Sequence, residues 1–299
     1  MTITTTIDEA NVSAAARFFS PTVMREMARR GASALLIRLA HESSLVSRLS
    51  KSATVSDLFK LAFDLLKQKT HRHEYVYKAA LAQKVLLGTH SLQTASMLSE
   101  FRVGYCKADV AILNGTSTVY EIKSERDSLS RLKRQIESYK RVFARVYVIA
   151  GENHVASVLE CVSSDVGVMK LSDRYQISTL REAIDCSQRT SPIAILDAIR
   201  LSEAKAILRL MNADVPDVPN TELYGAMRDR FASLDACAVH FAMVRVLKKT
   251  RNLMPLADLL AGLPIPLYAA ALSVRLRTDD RHRVLRAVKT SIEDALLWK

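Results

Sequence analysis

The feature that most constrains this chain is a change of hydrophobic period near residue 97, where helical spacing gives way to short alternating segments and then returns. Upstream, Leu58, Leu61, Ala62, Leu65 and Leu66 recur at helical intervals, which predicts a helix over 55–69. Another is expected from His73 to Leu87, ended by Gly88. Met97–Val103, Lys107–Leu113 and Thr118–Ile122 are then short, β-branched and alternating, and Asn114-Gly115 supplies a hairpin turn between the last two. An amphipathic helix is expected from Asp127 or Ser128 to Ala144, its apolar side carried by Leu129, Leu132, Ile136, Tyr139 and Phe143. Arg145–Ala150 reads as a buried strand closed by Gly151, so residues 73–151 spell α-β-β-β-α-β.

The flanks are helical. Residues 1–10 read as a polar lead, and Pro21 opens a helical pattern that continues to Leu39. After the last strand a short helix is expected over Val155–Leu159 and one more strand over Gly167–Leu171. From about Ser191 the chain turns helical again, with one run over Ile193–Met211, a break at Pro216 and Pro219, and helices near 221–234, 236–250, 254–261, 265–276 and 279–297. The fold class is therefore α/β with a mixed sheet, divided into a helical region 1–70, a core 71–175 and a helical region 176–299.

Composition narrows the class of function. Hydrophobic residues at 49% and charged residues at 25% are ordinary globular values, which excludes a mainly disordered chain. The 43 Lys and Arg against 31 Asp and Glu leave a net charge of +12. Such an excess favours a polyanionic partner, because basic groups that neutralise phosphates release condensed counterions; solubility or an anionic membrane surface account for the same charge. Cys106, Cys161, Cys186 and Cys237 lie far apart with no Cys-x-x-Cys pair, so reduced, buried thiols in a cytoplasmic protein are expected. The first nine residues lack the basic and apolar segments of a signal peptide, and the most apolar stretch, Ile265–Val274, is too short to span a bilayer.

Glu121-Ile122-Lys123 ends a predicted strand, so Glu121 and Lys123 share one face while Tyr120 and Ile122 take the other. That pair gains weight from Asp109, a carboxylate in the preceding strand between Ala108 and Val110, where Asp is locally unfavourable. Asp109 and Glu121 share a face only if the hairpin loop has an odd length. A two-residue Asn114-Gly115 turn fails this condition; a three-residue Leu113-Asn114-Gly115 loop with a glycine bulge meets it and is the expected form. Two carboxylates beside an ammonium suit phosphodiester hydrolysis with Mg²⁺ or Mn²⁺, hard cations that take oxygen ligands and acidify water.

Asp109, an eleven-residue gap and Glu121-x-Lys123 on an α-β-β-β-α-β frame resemble the PD-(D/E)XK superfamily of restriction-endonuclease-like nucleases. Gln135 and Tyr139, four apart on the next helix, look like the Gln-x-x-x-Tyr signature of the RecB-like and lambda-exonuclease-like branch. The stretch Tyr120–Gln135 is similar to that of a bacterial and prophage group of predicted nucleases, over roughly residues 71–175. The resemblance implies that Asp109, Glu121 and the Ile122 carbonyl hold the metal and that Lys123 positions the attacking water. It also implies an additional acid on the first core helix, for which Glu74 is the better match and Glu100 the competitor. The motif's Pro is absent, with Lys107-Ala108 before Asp109, and so are the cysteines of the iron–sulfur relatives. Ser124 and Arg126 are candidate phosphate contacts beside Gln135 and Tyr139. Lys248-Lys249-Thr250-Arg251 and the Arg275–Lys289 series are further candidates for the nucleic-acid backbone, or solvated helix faces.

The expected activity is therefore a Mg²⁺-dependent deoxyribonuclease in settings such as phage defence. Two alternatives stand beside it: a nuclease-like module that binds nucleic acid or protein without cleaving, and a ribonuclease. The helical C-terminal region is the expected seat of a partner protein or a second copy.

Overall fold

Leu113 is fully buried at the end of a strand, and the hairpin it belongs to sets the register of the whole sheet. In the computed structural model, which describes residues 9–299, six strands form one sheet in sequential order: β1 (Ser96–Val103), β2 (Cys106–Asn114), β3 (Thr116–Lys123), β4 (Arg145–Ala150), β5 (Gly167–Leu171) and β6 (Ile177–Arg181). The polar lead expected over residues 1–10 lies, through residue 8, outside the described residues. β1, β2 and β3 are antiparallel, β3, β4 and β5 are parallel, and β6 is antiparallel to β5. Parallel neighbours need crossovers, which the helices Leu132–Lys140 and Val155–Cys161 supply.

The chain divides into two compact units. One holds the residues up to Gln83 with Asp173–Tyr175 and Pro255–Lys299; the other holds Lys84–Ser172 with Gln176–Met254. In the first unit, the helices Pro21–Arg30, Val55–Lys67 and Glu74–Ala80 bring together an aromatic core. Phe19 stacks on Tyr75 with ring centroids 4.3 Å apart, and Phe63 meets both rings edge-on. The Tyr75 hydroxyl donates to the Pro266 carbonyl at 2.6 Å, and Thr54 bridges to Ser291. The last stretch of the chain thus completes the core of the N-terminal helices.

In the second unit, one face of the sheet is covered by Leu132–Lys140 and by the later helices Pro192–Ala198, Leu201–Leu210, Asn220–Ala232 and Ala236–Thr250. Leu98, Ala111, Val119 and Val148 from the strands share a core with Ile136, Tyr139, Phe231 and Met243 from the helices. Arg251 is not a free basic group here: its guanidinium forks onto Glu203 at 2.9 and 2.8 Å.

Several boundaries move for local reasons. The helical pattern opened by Pro21 breaks after Arg30, and Ser33 caps a second helix, Ala34–Glu42. The helix expected to end at Leu87 becomes π-helical over Leu81–Leu86. The run over Ile193–Met211 splits because Glu203 accepts the Arg200 amide and starts a new helix. The helix expected over 279–297 stops at Lys289, and Ser291 caps a short successor, Ile292–Ala295. β6 falls within the stretch expected to be helical; it is an edge strand with only Ile177 and Leu180 apolar, so it carries no burial alternation. Among the cysteines, all four are free but only Cys106 is buried; the other three are half-buried, near the ends of their elements. Among the described residues no helix is long and apolar enough to cross a membrane.

One buried titratable group ties a helix to the sheet. His240, with no exposed surface, places Nε2 2.7 Å from the Ser117 hydroxyl of β3, whose oxygen accepts the Ala144 amide. Burial pushes the His240 pKa down to about 4, only partly opposed by Asp185. An unfolded His takes up its proton near pH 6.5 whereas the folded one resists to about 4, so stability is lost as pH falls through that window. Urea unfolding should show about 2 kcal/mol less stability at pH 5 than at pH 7 from this group. His240→Gln should flatten that difference; a variant with the wild-type pH dependence would show that the loss arises elsewhere.

Candidate active site

The β2–β3 hairpin places the two carboxylates. Its ladder runs from Val110–Tyr120 to Leu113–Ser117 and Asn114–Thr116, reversing at Gly115, whose φ of 70° is the left-handed conformation that glycine allows. The loop has the expected odd length, but it is centred on Gly115 rather than spanning Leu113–Gly115, and no bulge interrupts it. The reason is burial: a looped Leu113 would be drawn out of the core it fills. The tighter register has a consequence for the site. The regular pairing ends at Val110–Tyr120, one residue short of Asp109 and Glu121, so both carboxylates sit where the ladder stops.

The ladder opens at this point. The Ile122 amide donates to Asp109 Oδ2 at 2.8 Å, so a side-chain carboxylate takes the place of a strand carbonyl. By strand alternation the Ile122 carbonyl points toward the same edge as its amide. The other ladder of β2 is distorted at the same level. Glu100 lies between the pairs Ser99–Val110 and Phe101–Ala108, hence opposite Asp109, and has a φ of 54°. A non-glycine residue held there costs about 1–3 kcal/mol, a strain that concentrates at functional sites. Its carboxylate is exposed and pairs with Lys107 at 2.9 Å.

Glu121 and Lys123 are buried, at 2% and 5% exposure, under the helix Leu132–Lys140. Lys123 Nζ donates to Glu121 Oε1 at 2.9 Å and to Gln135 Oε1 at 3.0 Å. The Gln135 amide donates in turn to Glu121 Oε1, and the Tyr139 hydroxyl lies 2.8 Å from Glu121 Oε2 and 3.0 Å from the Lys107 carbonyl. Burial first, and the Glu121 carboxylate second, hold the Tyr139 phenol far above its ordinary pKa, so it stays protonated and acts as a donor. The helix is shorter than the expected Asp127–Ala144. Asp127 closes a turn instead of capping it, accepting the Ser124 amide at 2.8 Å and the Ser124 hydroxyl at 2.6 Å.

The structure thus gathers Asp109, Glu121, Lys123, Gln135, Tyr139 and the Ile122 main chain into one cluster. Ser124 is adjacent but turned inward, and Arg126 is exposed at the tip of the turn. Glu74 is described within its own unit. It belongs to the first unit, opens the helix Glu74–Ala80 and pairs with Lys78 at 2.7 Å, as an acid in a first turn ordinarily does. Glu100 is the acid brought beside Asp109. The signal was present in the sequence: a two-residue Gly104-Tyr105 turn fixes Val103 against Cys106 and, counting back, Glu100 against Asp109. Among the described residues no group of three or more His, Cys, Asp or Glu side chains is arranged to hold a metal.

A family model described as bacteriophage P4 protein cII matches residues 67–250, which include every member of this cluster. The chain belongs to that family. It is 34% identical over 124 residues to protein cII of Enterobacteria phage P4, covering 39% of this chain and 46% of that protein. The chain therefore spans less than half the length of that relative. A solved structure, the SPO1766 protein of unknown function from Silicibacter pomeroyi, is 18% identical, with a TM-score of 0.32 over 47% of this chain and 94% of that one.

Within the family's matched span, the cluster makes a prediction about stability. Tyr139→Phe removes the donor to Glu121 Oε2 while keeping the ring in the core. It should destabilise the protein by about 1–3 kcal/mol, the cost of leaving a buried acceptor unsatisfied, as read by urea unfolding. A change below about 0.5 kcal/mol would mean that Glu121 does not depend on this hydroxyl.

Proposed function

We propose that the chain is a divalent-metal-dependent nuclease of the PD-(D/E)XK type, with a restriction-endonuclease-like core, hydrolysing phosphodiester bonds in the cytoplasm, DNA first among its substrates. The observation that carries this reading is a buried Glu121–Lys123 pair beside Asp109, whose carboxylate accepts the Ile122 amide from the neighbouring strand. A charged pair inside a sheet is costly to stability, so its presence points to chemistry rather than to packing.

The donor set fits Mg²⁺ or Mn²⁺. Asp109, Glu121 and the Ile122 carbonyl are hard oxygen donors on adjacent strands, at the carboxyl end of the parallel strand β3. The bound cation would acidify a water and neutralise phosphoryl oxygens. Lys123, held by Glu121 and Gln135, is poised to orient that water. Tyr139 and Gln135 fix the Glu121 carboxylate, and Glu100 adds negative charge beside Asp109. Arg131, Lys133 and Arg134, exposed around the start of the Gln135 helix, offer contacts for the flanking phosphates.

Glu121 supports a second reading. Lys123 and Gln135 occupy one of its carboxylate oxygens and Tyr139 the other, a closed network that would serve a nucleic-acid-binding module without cleavage. One assay separates the two. Purified protein incubated with linear, circular and single-stranded DNA, and with RNA, should cleave only when Mg²⁺ or Mn²⁺ is supplied. Asp109→Asn and Lys123→Met should each lower the rate by about 10²-fold or more. Glu100→Gln should lower it and Glu74→Gln leave it unchanged. No cleavage with any divalent ion would favour the binding module; cleavage undiminished in both Asp109→Asn and Lys123→Met would sink the active-site assignment.

A further inference from the structure

The first unit contains a cleft of about 650 Å³ lined by Arg25, Arg29, Arg275 and Arg277, with Ala28, Leu276 and Asp280 as the remaining wall. Arg25 and Arg29 are one turn apart on the helix Pro21–Arg30, and Arg275 and Arg277 alternate along the extended segment before the helix Thr278–Lys289. Two spacings, one helical and one extended, therefore aim four guanidinium groups at the same space. All four side chains are exposed, and among the described residues none forms an ion pair with a carboxylate. The one acid in the wall, Asp280, accepts the Arg277 amide at 2.9 Å, pairs with Arg283 at 2.7 Å and is also stabilised by the Arg277 charge. Arg283 also donates to the Ala28 carbonyl at 2.6 Å, which clamps the two walls together and makes the cleft a built feature.

We propose that this arginine cleft binds the phosphodiester backbone of a nucleic acid, at a site separate from the carboxylate cluster. Four exposed guanidinium groups line one cleft against a single carboxylate, an excess of positive charge that favours an anion, and guanidinium is suited to phosphate oxygens. The wall holds no aromatic ring for a base to stack on and no Asn or Gln to read a base edge. Contacts from these guanidinium groups to phosphate oxygens would position the backbone without reading sequence. The inference goes beyond the nuclease reading and stands without it, because binding here requires neither Asp109 nor Glu121.

The test is fluorescence anisotropy of a labelled 25-base-pair DNA on the full chain, in EDTA so that cleavage plays no part. Arg25→Gln/Arg29→Gln and Arg275→Gln/Arg277→Gln should each weaken binding about tenfold at moderate salt and reduce the slope of log K against log salt by roughly two. Arg38→Gln, an exposed arginine outside the cleft that pairs with Glu42, should leave both unchanged. Melting temperatures confirm that the variants are folded; if a double variant melts early, Arg25→Gln and Arg277→Gln alone should each cost about one unit of slope. Wild-type affinity and slope in the cleft variants would overturn the proposal. So would displacement of the DNA by inorganic phosphate or a mononucleotide at the same phosphate concentration, which would assign the cleft to a small ligand. Neither result bears on metal-dependent cleavage, which the Asp109 and Lys123 variants test.

Discussion

A carboxylate with 2% of its surface exposed, at the middle of a sheet, is the constraint around which the second unit is arranged. Desolvating Glu121 costs several kcal/mol, and only a complete set of donors compensates for it. Each donor reaches it by a different local rule. Lys123 shares its face because strands alternate, and Gln135 and Tyr139 share a helix side because they are four apart. For these to meet, the helix Leu132–Lys140 must cross the sheet with one particular face down. That requirement fixes the orientation of the β3–β4 crossover, and hence the parallel pairing of Glu121 with Val148 and of Lys123 with Ala150. The site is thus part of what determines the fold.

The antiparallel half supplies the complementary feature, an opening. Where the sheet would continue its regular hydrogen bonding, Asp109 captures the Ile122 amide and Glu100, opposite, adopts a left-handed conformation. Both departures occur at one level of the sheet, beside the buried pair. A regular ladder would consume the main-chain groups of β3 there; a broken one frees them for other partners. Strain and lost pairing are tolerated because the rest of the ladder, from Val110 to Asn114, remains intact.

Much of this was legible in the sequence, and the exceptions share a cause. β4 and β5 were read with their ends correct, because they are buried strands whose apolar residues run together between turn signals. The pairings of Glu121 with Lys123 and of Gln135 with Tyr139 followed from period-two and period-four spacing, both local, whereas adding Asp109 required an odd hairpin loop and the resemblance to a nuclease superfamily. What could not be read depended on contacts distant in sequence. The hairpin register was decided by the burial of Leu113 and β6 by an edge position that imposes no pattern, while the unit that holds Glu74 is completed from the far end of the chain. Glu100 is the instructive case. Its position followed from a turn at Gly104-Tyr105, but the left-handed backbone that marks it leaves no trace in residue type.

On the nuclease reading proposed above, electrostatics explains why a separate site for the nucleic-acid backbone would be useful. Under that proposal the carboxylate cluster itself offers a phosphodiester little attraction, because Lys123 offsets only Glu121 and Lys107 only Glu100, which leaves Asp109. Affinity has to be generated by other groups. Exposed Arg131, Lys133 and Arg134 contribute locally, but single exposed cations are screened over about 8–10 Å at physiological salt. The four arginines that line the cleft of the first unit would form a stronger anchor, and one whose strength does not depend on metal. On this view the net charge of +12 is organised rather than diffuse: capture is assigned to the guanidinium groups of one unit and hydrolysis to the carboxylates of the other. Mutations should therefore separate the two, with losses in the cleft appearing at limiting substrate and losses at Asp109 or Lys123 persisting at saturation.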